Sequence, residues 1–252
     1  MKLTDFIKVY NDVITPETCQ KIIDEYERHS SIAEEHDTEL FKFHQLNLTQ
    51  TPDLKELSQV VASSLVPIYE DYFNALGLRP FVEIDTFEDI RIKKYAKGSG
   101  DQFKTHVDVA DKESASRFCI AIIYLNDNDG LTTFPQLQVG VPPQAGRVVL
   151  FPPTWMFPHN GLPPKDNDKY IMMTCLHYRW SMVAKNDITG DSIQSRNNSK
   201  AYSENIVKIF GDKTEENERK AREKAEYFAR LNAEYEDKIT RNNEETQEIM
   251  SR

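Results

Sequence analysis

The sequence predicts a mainly β domain with flanking helices, and three observations lead there. Between about residues 86 and 180 the chain runs in short apolar, β-branched and aromatic stretches separated by Gly, Pro, Asn and Asp. Several short strands with frequent turn signals build a barrel or a sandwich. Two helix starts precede this region, and after Trp180 the composition shifts to a polar segment followed by a long charged stretch almost free of Gly and Pro.

Taken in order, residues 6 to 10 (Phe-Ile-Lys-Val-Tyr) read as a strand. Thr15-Pro16-Glu17 then combines a capping hydroxyl with a proline at the first helical position, so a helix is expected to about His29 with Cys19, Ile22, Ile23 and Tyr26 on its apolar side. Residues 41 to 48 are strand-like, and Thr51-Pro52-Asp53 opens a second helix carrying Leu54, Leu57, Val61, Leu65, Ile68 and Tyr72 near helical spacing. Pro67 is expected to kink that helix or end its first half. The β-rich part supplies runs at Asp89 to Tyr95, Arg117 to Leu125, Leu131 to Phe134, Leu137 to Val141, Arg147 to Phe151 and Lys169 to Arg179.

Residues 185 to 203 are rich in Asn, Ser and Asp, and residues 214 to 250 read as a long helix. Its narrow stripe of Ala221, Ala225, Phe228, Leu231, Tyr235 and Ile239 suits docking on its own domain or pairing with a second copy as a homodimer. The organisation expected is one domain over residues 1 to 180, with a linker and a charged helical extension over 181 to 252.

Charge and composition exclude several classes. With 31 Lys+Arg against 41 Asp+Glu, the net charge of -10 disfavours nucleic acid or an anionic membrane as partner. Cys19, Cys119 and Cys175 are too few and too far apart for a disulfide framework or a CxxC zinc site, which fits reduced thiols and a cytoplasmic setting. The start, Met1 to Phe6, has no apolar leader core, and the apolar run Phe118 to Leu125 is too short to span a bilayer, so neither export nor membrane insertion is expected.

The sharpest chemical feature is His106-Val107-Asp108 together with His159. On an extended segment residues i and i+2 share a face, so one strand can offer an imidazole and a carboxylate to a metal while a distant segment brings the second imidazole. Two His and one carboxylate on one face of an octahedron leave open positions, the arrangement of non-haem Fe(II) oxygenases. The tripeptide alone occurs readily by chance. What singles it out is the segment Phe151 to Gly161 around His159, followed ten positions later by Lys169, a lone cation opening an apolar strand where it could meet an anion.

With those residues in view, the sequence resembles the 2-oxoglutarate and Fe(II)-dependent oxygenases, and within them the prolyl 4-hydroxylase-like branch. The resemblance covers roughly residues 5 to 180. It rests on Tyr95-x-x-Gly98, His106-x-Asp108, Arg117, Tyr124-Leu125-Asn126-Asp127, Gly130-x-Thr132-x-Phe134-Pro135, Pro142 to Gly146, Phe151, His159-x-Gly161 and Lys169, in the family's order. It implies a double-stranded β-helix, or jelly roll, with supporting helices on one side. It also implies that His106, Asp108 and His159 hold iron and act as the catalytic centre. Lys169 and Tyr124 would bind the distal carboxylate of 2-oxoglutarate, Tyr95 would line that pocket, and Arg117 would contact substrate.

The activity implied is hydroxylation of a C–H bond with O2, coupled to conversion of 2-oxoglutarate into succinate and CO2, with ascorbate as an auxiliary reductant to be tested. Asp108 argues for hydroxylation over halogenation, because a halide on iron needs that carboxylate replaced by a small side chain. Phe103 stands where prolyl hydroxylases usually carry a substrate-facing tyrosine and Cys175 where they carry a tryptophan, so the departures fall on the substrate side. Trp155 and Phe157 are candidates for aromatic substrate contact or for core packing. The leading expectation is a hydroxylase of a prolyl residue in a peptide or protein. The alternatives are a hydroxylase of a free amino acid or other small molecule, and a non-catalytic jelly-roll binding module.

Overall fold

Thr15 starts the first helix by the means its residue type supplies. Its Oγ1 accepts a hydrogen bond from the Thr18 amide at 3.2 Å and Pro16 takes the first position of α1 (Pro16–Arg28). Such a cap is worth about 1 kcal/mol. In this computed structural model residues 1–79 and 82–178 are described, together with the strands at 183–185 and 192–194 and residue 219. α1 buries Cys19, Ile22 and Tyr26, while Ile23 stays half-buried.

At the second start the Thr51 hydroxyl donates to the Asn47 carbonyl at 2.7 Å instead of capping, a 3-10 turn covers Pro52–Leu54, and α2 (Lys55–Ala75) follows. Pro67 does not end it: the helix runs on through the proline. The amide that Pro67 lacks would have bonded the Ser63 carbonyl, and both residues lie on the exposed side, where water can take that carbonyl. The buried stripe of α2 includes Val61, Leu65, Tyr69, Tyr72 and Phe73, and Leu57 and Ile68 flank it half-buried.

The first strands are β1 (Lys8–Tyr10), β2 (Glu34–Asp37), β3 (Phe41–Asn47), β4 (Ile84–Phe87), β5 (Arg91–Tyr95), β6 (Gln102–His106) and β7 (Arg117–Tyr124). The chain continues through β8 (Thr132–Phe134), β9 (Val139–Val141), β10 (Val148–Phe151), β11 (His159–Gly161) and β12 (Lys169–Tyr178). They form one 12-stranded sheet in the order β1-β10-β7-β12-β5-β3-β6-β11-β8-β9, with β2 on β3 and β4 on β12. β3 turns the corner: its residues His44 to Asn47 pair with β5, whereas Phe41 and Lys42 pair with β6. The sheet thereby folds into a larger and a smaller face enclosing a nearly closed, barrel-like jelly roll.

Alternation along the strands decides what lies inside. On β12, Lys169 and Ile171 line the interior pocket, while Tyr170 points outward to α1, edge-on to Tyr26 at 5.9 Å with its hydroxyl donating to Glu27 at 2.6 Å. α2 covers the outer side of the same face, where the Tyr69 hydroxyl donates to the Cys119 carbonyl at 3.4 Å and Phe73 stacks on Phe118. The interior holds Phe43, Ile120, Ile122, Tyr124, Phe134, Phe151 and Phe157.

β2, β4, β6 and β11 fall where the residues predict no strand. Val183–Lys185 and Ser192–Gln194, in the stretch whose composition reads as linker, pair antiparallel as β13 and β14. The helix expected over 214 to 250, with the homodimer contact drawn from its stripe, lies outside the described residues. By internal contacts the chain divides into two units, Met1–Leu76 with Glu83–Asn197, and Gly77–Val82 with Asn198–Arg252. Every element named above belongs to the first. No helix among the described residues is long and apolar enough to cross a membrane.

Candidate active site

The antiparallel register of β6 and β11 sets His106 opposite His159. Asp108 follows β6, and the backbone there is tied down because the Asp108 and Val109 amides both donate to the Pro153 carbonyl, at 3.1 and 3.0 Å. Arg117 holds the same residue from the other side, its Nη1 donating to the Asp108 carbonyl at 2.9 Å while its Nε donates to Glu88 at 2.7 Å. His106, Asp108 and His159 each present a ligand atom, all within 4.8 Å of one another.

Each imidazole has its tautomer set by a backbone oxygen. Nδ1 of His106 lies 2.8 Å from the Lys104 carbonyl and Nδ1 of His159 lies 3.1 Å from the Phe157 carbonyl. A carbonyl only accepts, so both Nδ1 atoms carry a proton, which leaves Nε2 as the ring atom that can turn a lone pair to a metal. Those Nε2 atoms face the carboxylate of Asp108, at 3.7 Å from Oδ1 and 3.4 Å from Oδ2. Burial pushes the His159 imidazole down to about 4, so it is neutral at ordinary pH. Burial pushes the Asp108 carboxyl up, but the two imidazoles and Arg117 outweigh that and hold it below the usual carboxylate range. Asp108 Oδ2 is nevertheless buried without a hydrogen-bond partner. An ionised carboxylate oxygen left so is costly unless something positive meets it.

Aromatic rings close the site. Phe103 lies flat on His106, centroids 3.5 Å apart at 6°, and Phe151 and Phe134 flank His159. The pocket beyond the imidazoles ends in Lys169, which is 1% exposed and donates from Nζ to the Gly130 carbonyl at 2.7 Å. The Lys169 ammonium lies 5.1 Å from the Tyr95 ring centroid, and Asn126 fixes the start of β12 by accepting from the Tyr170 amide and donating to the Asp168 carbonyl. Burial pushes Lys169 down to about 8. Tyr124, opposite Ile171 in the sheet, is fully buried; Thr132 lies beside its hydroxyl, yet no group meets it at hydrogen-bond geometry. A Cβ added at Gly161 would stand 3.6 Å from Lys169 Nζ, so the absence of a side chain there keeps the ammonium's surroundings open.

Residues 90–178 match the family model of the 2OG-Fe(II) oxygenase superfamily. The matched stretch runs from β5 to β12 and includes His106, Asp108, His159 and Lys169. The oxygenase fold is shared with several solved structures at low sequence identity. The viral collagen prolyl hydroxylase from Paramecium Bursaria Chlorella virus-1, in its 2OG complex, is 18% identical with a TM-score of 0.52, over 68% of this chain and 95% of that one. A prolyl hydroxylase from Trichoplax adhaerens, in complex with a hypoxia inducible factor oxygen degradation domain peptide fragment, is 14% identical with a TM-score of 0.58, over 69% and 84%. A prolyl-4-hydroxylase from Pseudomonas putida is 16% identical with a TM-score of 0.53, over 69% and 93%. No curated protein matches the chain by sequence.

The groups that this match implies are Fe(II), 2-oxoglutarate and O2. The residues fit these groups. Two imidazole nitrogens and one unsatisfied buried carboxylate oxygen suit a cation, and the buried Lys169 ammonium lining the same pocket suits an anion.

Of the residues expected from the sequence, the oxygenase pocket brings together His106, Asp108, His159, Lys169 and Tyr95. Tyr124 belongs to the same interior cluster. Arg117 does not line the pocket and is held by Glu88 and the Asp108 carbonyl. Trp155 is 76% exposed and also off the pocket lining, whereas Phe157 is 1% exposed and packs edge-on to Phe6. Glu88 and Lys93 were not anticipated. Glu88 accepts from Arg117 and lies 3.0 Å from His177 Nε2, which accounts for that histidine without a metal. Lys93 lines the pocket itself, and its signal was legible: it stands two residues before Tyr95 on a strand, hence on the same face.

Proposed function

We propose that this oxygenase hydroxylates a C–H bond of a prolyl residue in a peptide or protein, with His106, Asp108 and His159 holding iron and Lys169 holding 2-oxoglutarate. The observation that carries the reading is the pairing of two opposed, tautomer-fixed histidines around an unsatisfied Asp108 with a buried lysine at the far end of the same pocket. The prolyl assignment is supported by the shared fold with prolyl hydroxylases, one of them carrying a peptide.

When bound, iron, 2-oxoglutarate and O2 supply the oxidant and leave succinate and CO2. The chain supplies position and electrostatics. His106 and His159 offer Nε2, since their Nδ1 protons are committed to the Lys104 and Phe157 carbonyls. Asp108 adds the anionic ligand, its backbone fixed by Pro153 and Arg117. Lys169 would hold the distal carboxylate of 2-oxoglutarate and the Tyr124 hydroxyl, unpartnered in the free protein, would donate to it, with the Tyr95 ring beside the Lys169 ammonium. Phe103, Phe134 and Phe151 keep water from the histidines. Arg117 and Trp155 remain the proposed substrate contacts outside the pocket.

The test is anaerobic addition of Fe(II) and 2-oxoglutarate to metal-free protein, followed by incubation of a prolyl peptide panel in air. A visible charge-transfer band that is lost in His106→Ala and weakened in Lys169→Ala, together with peptide-dependent succinate and a product 16 mass units heavier, is expected by simple addition of oxygen. A folded protein without the band would overturn the site. A band without hydroxylated proline would overturn the substrate.

A further inference from the structure

Among the described residues, Lys93 is the one pocket-lining lysine that the oxygenase chemistry above leaves unused. It is 5% exposed on β5, and it stands one two-residue step before Tyr95, which pairs with Lys169 across the β5–β12 register; Lys93 itself pairs with Ile171. The two lysines therefore point into the same interior, displaced by about 7 Å along the strands. Its ammonium lies 4.2 Å from the Phe43 ring centroid and 5.2 Å from that of Phe103, the ring stacked on His106. Among the described residues it makes no hydrogen bond, so three donors on a buried cation are unspent.

Its charge is also unbalanced. Ring faces attract an ammonium but do not neutralise it. The carboxylate whose charge it feels most is Asp108, which iron takes, while Glu88 is already shared by Arg117, Arg91 and His177. Iron with Asp108, and 2-oxoglutarate with Lys169, make a neutral set that leaves Lys93 over. Burial pushes Lys93 down to about 8, which still leaves it largely protonated at neutral pH. A methionine would fill this space without the desolvation cost, so the charge is best explained by a ligand that meets it.

We propose that Lys93 is a specificity-determining residue that binds a carboxylate of the substrate in the pocket, on the His106 side of the iron site. This rests on the oxygenase reading and narrows its substrate class: the target ring carries a carboxylate close by, either its own α-carboxylate, as in free or C-terminal proline, or the side chain of an adjoining acidic residue.

The experiment is calorimetry on full-length protein saturated with 2-oxoglutarate and with Mn(II), which replaces Fe(II) to prevent turnover. Two matched pairs serve as probes: L-proline against L-prolinamide, and acetyl-Pro-Asp-amide against acetyl-Pro-Asn-amide. In at least one pair the carboxylate member is expected to bind at least about tenfold more tightly, with the preference falling to within about twofold in Lys93→Met, a loss of at least about fivefold, the least that one hydrogen bond to the carboxylate should carry. The pair that responds identifies the source of the carboxylate. Lys93→Gln repeats the measurement should the methionine variant fold poorly. Equal or undetectable binding of both members of both pairs by wild type overturns the proposal, as does a preference that survives loss of the lysine. The oxygenase reading has its own readout, the heat of 2-oxoglutarate binding to wild type before any probe is added; if that heat is missing, the same probe criterion at Lys93 still decides.

Discussion

His106 and His159 face each other across a strand pair, with ring centroids 4.4 Å apart and each Nδ1 proton held by a carbonyl two residues earlier in its own chain segment. The repeated i−2 contact means that both ligand orientations are built by local backbone, and only their meeting depends on the sheet. Asp108 brings the one carboxylate among the three residues that could hold a cation.

Replacing Asp108 by Ala is expected to abolish tight Fe(II) binding, with activity reduced about a hundredfold or more, because two neutral imidazoles alone offer no charge to the cation. The fold should survive, since the unsatisfied oxygen is removed with the carboxylate. Metal titration by calorimetry, beside circular dichroism, checks both halves. Tight stoichiometric binding in Asp108→Ala contradicts the assignment.

Affinity for 2-oxoglutarate is expected to fall as pH rises through about 8 in the free protein, where the Lys169 ammonium loses its proton. The sign follows from burial: the depressed value means that the charged form dominates only below it, and a dicarboxylate binds the charged form, so the dissociation constant should climb roughly tenfold per unit above that point. Equilibrium binding between pH 6.5 and 9.5 measures this. In Lys169→Arg the decline should vanish from that range, because a guanidinium does not titrate there.

Lys93→Met is expected to stabilise the protein at pH 7 by about 1 to 3 kcal/mol, offset in part by loss of the ring contacts. Folding lowers the pKa of Lys93 from 10.5 to about 8, so the unfolded chain holds the proton more tightly. The penalty is thus complete below pH 8, shrinks as pH rises from 8 to about 10.5, and is absent above. Denaturant melts of both proteins at pH 7 and pH 10.5 check it; a difference that does not narrow with pH contradicts the buried charge.

Tyr124→Phe removes a buried hydroxyl that has no partner in the free protein. Stability should therefore hold or rise slightly, while 2-oxoglutarate binds about ten- to a hundredfold more weakly, the worth of one hydrogen bond to a carboxylate. Equal losses in stability and affinity would make the residue a packing element only.

Gly130→Ala tests the same end of the pocket through the backbone. A Cβ there would come within 2.7 Å of the Leu162 carbonyl and 3.3 Å of Lys169 Cδ, while the Gly130 carbonyl is what Lys169 Nζ bonds. Overpacking of this kind costs about 1 to 3 kcal/mol. Thermal unfolding and 2-oxoglutarate affinity should both decline.

What the sequence by itself determined were the features written in local spacing. Thr15-Pro16 starts a helix through a side chain and a fixed φ that act within three residues, and the HxD tripeptide, His159 and Lys169 announce their chemistry by residue type. Lys93 was legible by the same two-residue alternation from Tyr95. The tertiary structure decided the rest. β6 and β11 are short and polar, with no apolar pattern of their own, and become strands because they pair with each other and with β3 and β8. Pro67 stays helical because the Ser63 carbonyl that it leaves unbonded lies on the exposed side. Arg117 turns from the pocket because Glu88, 29 residues earlier, reaches it. Residue types and short spacings record which atoms can bind a metal or an anion. Which of them meet is settled by hydrogen-bond pairing and burial between segments far apart in the chain, and those energies exist only once the sheet has closed.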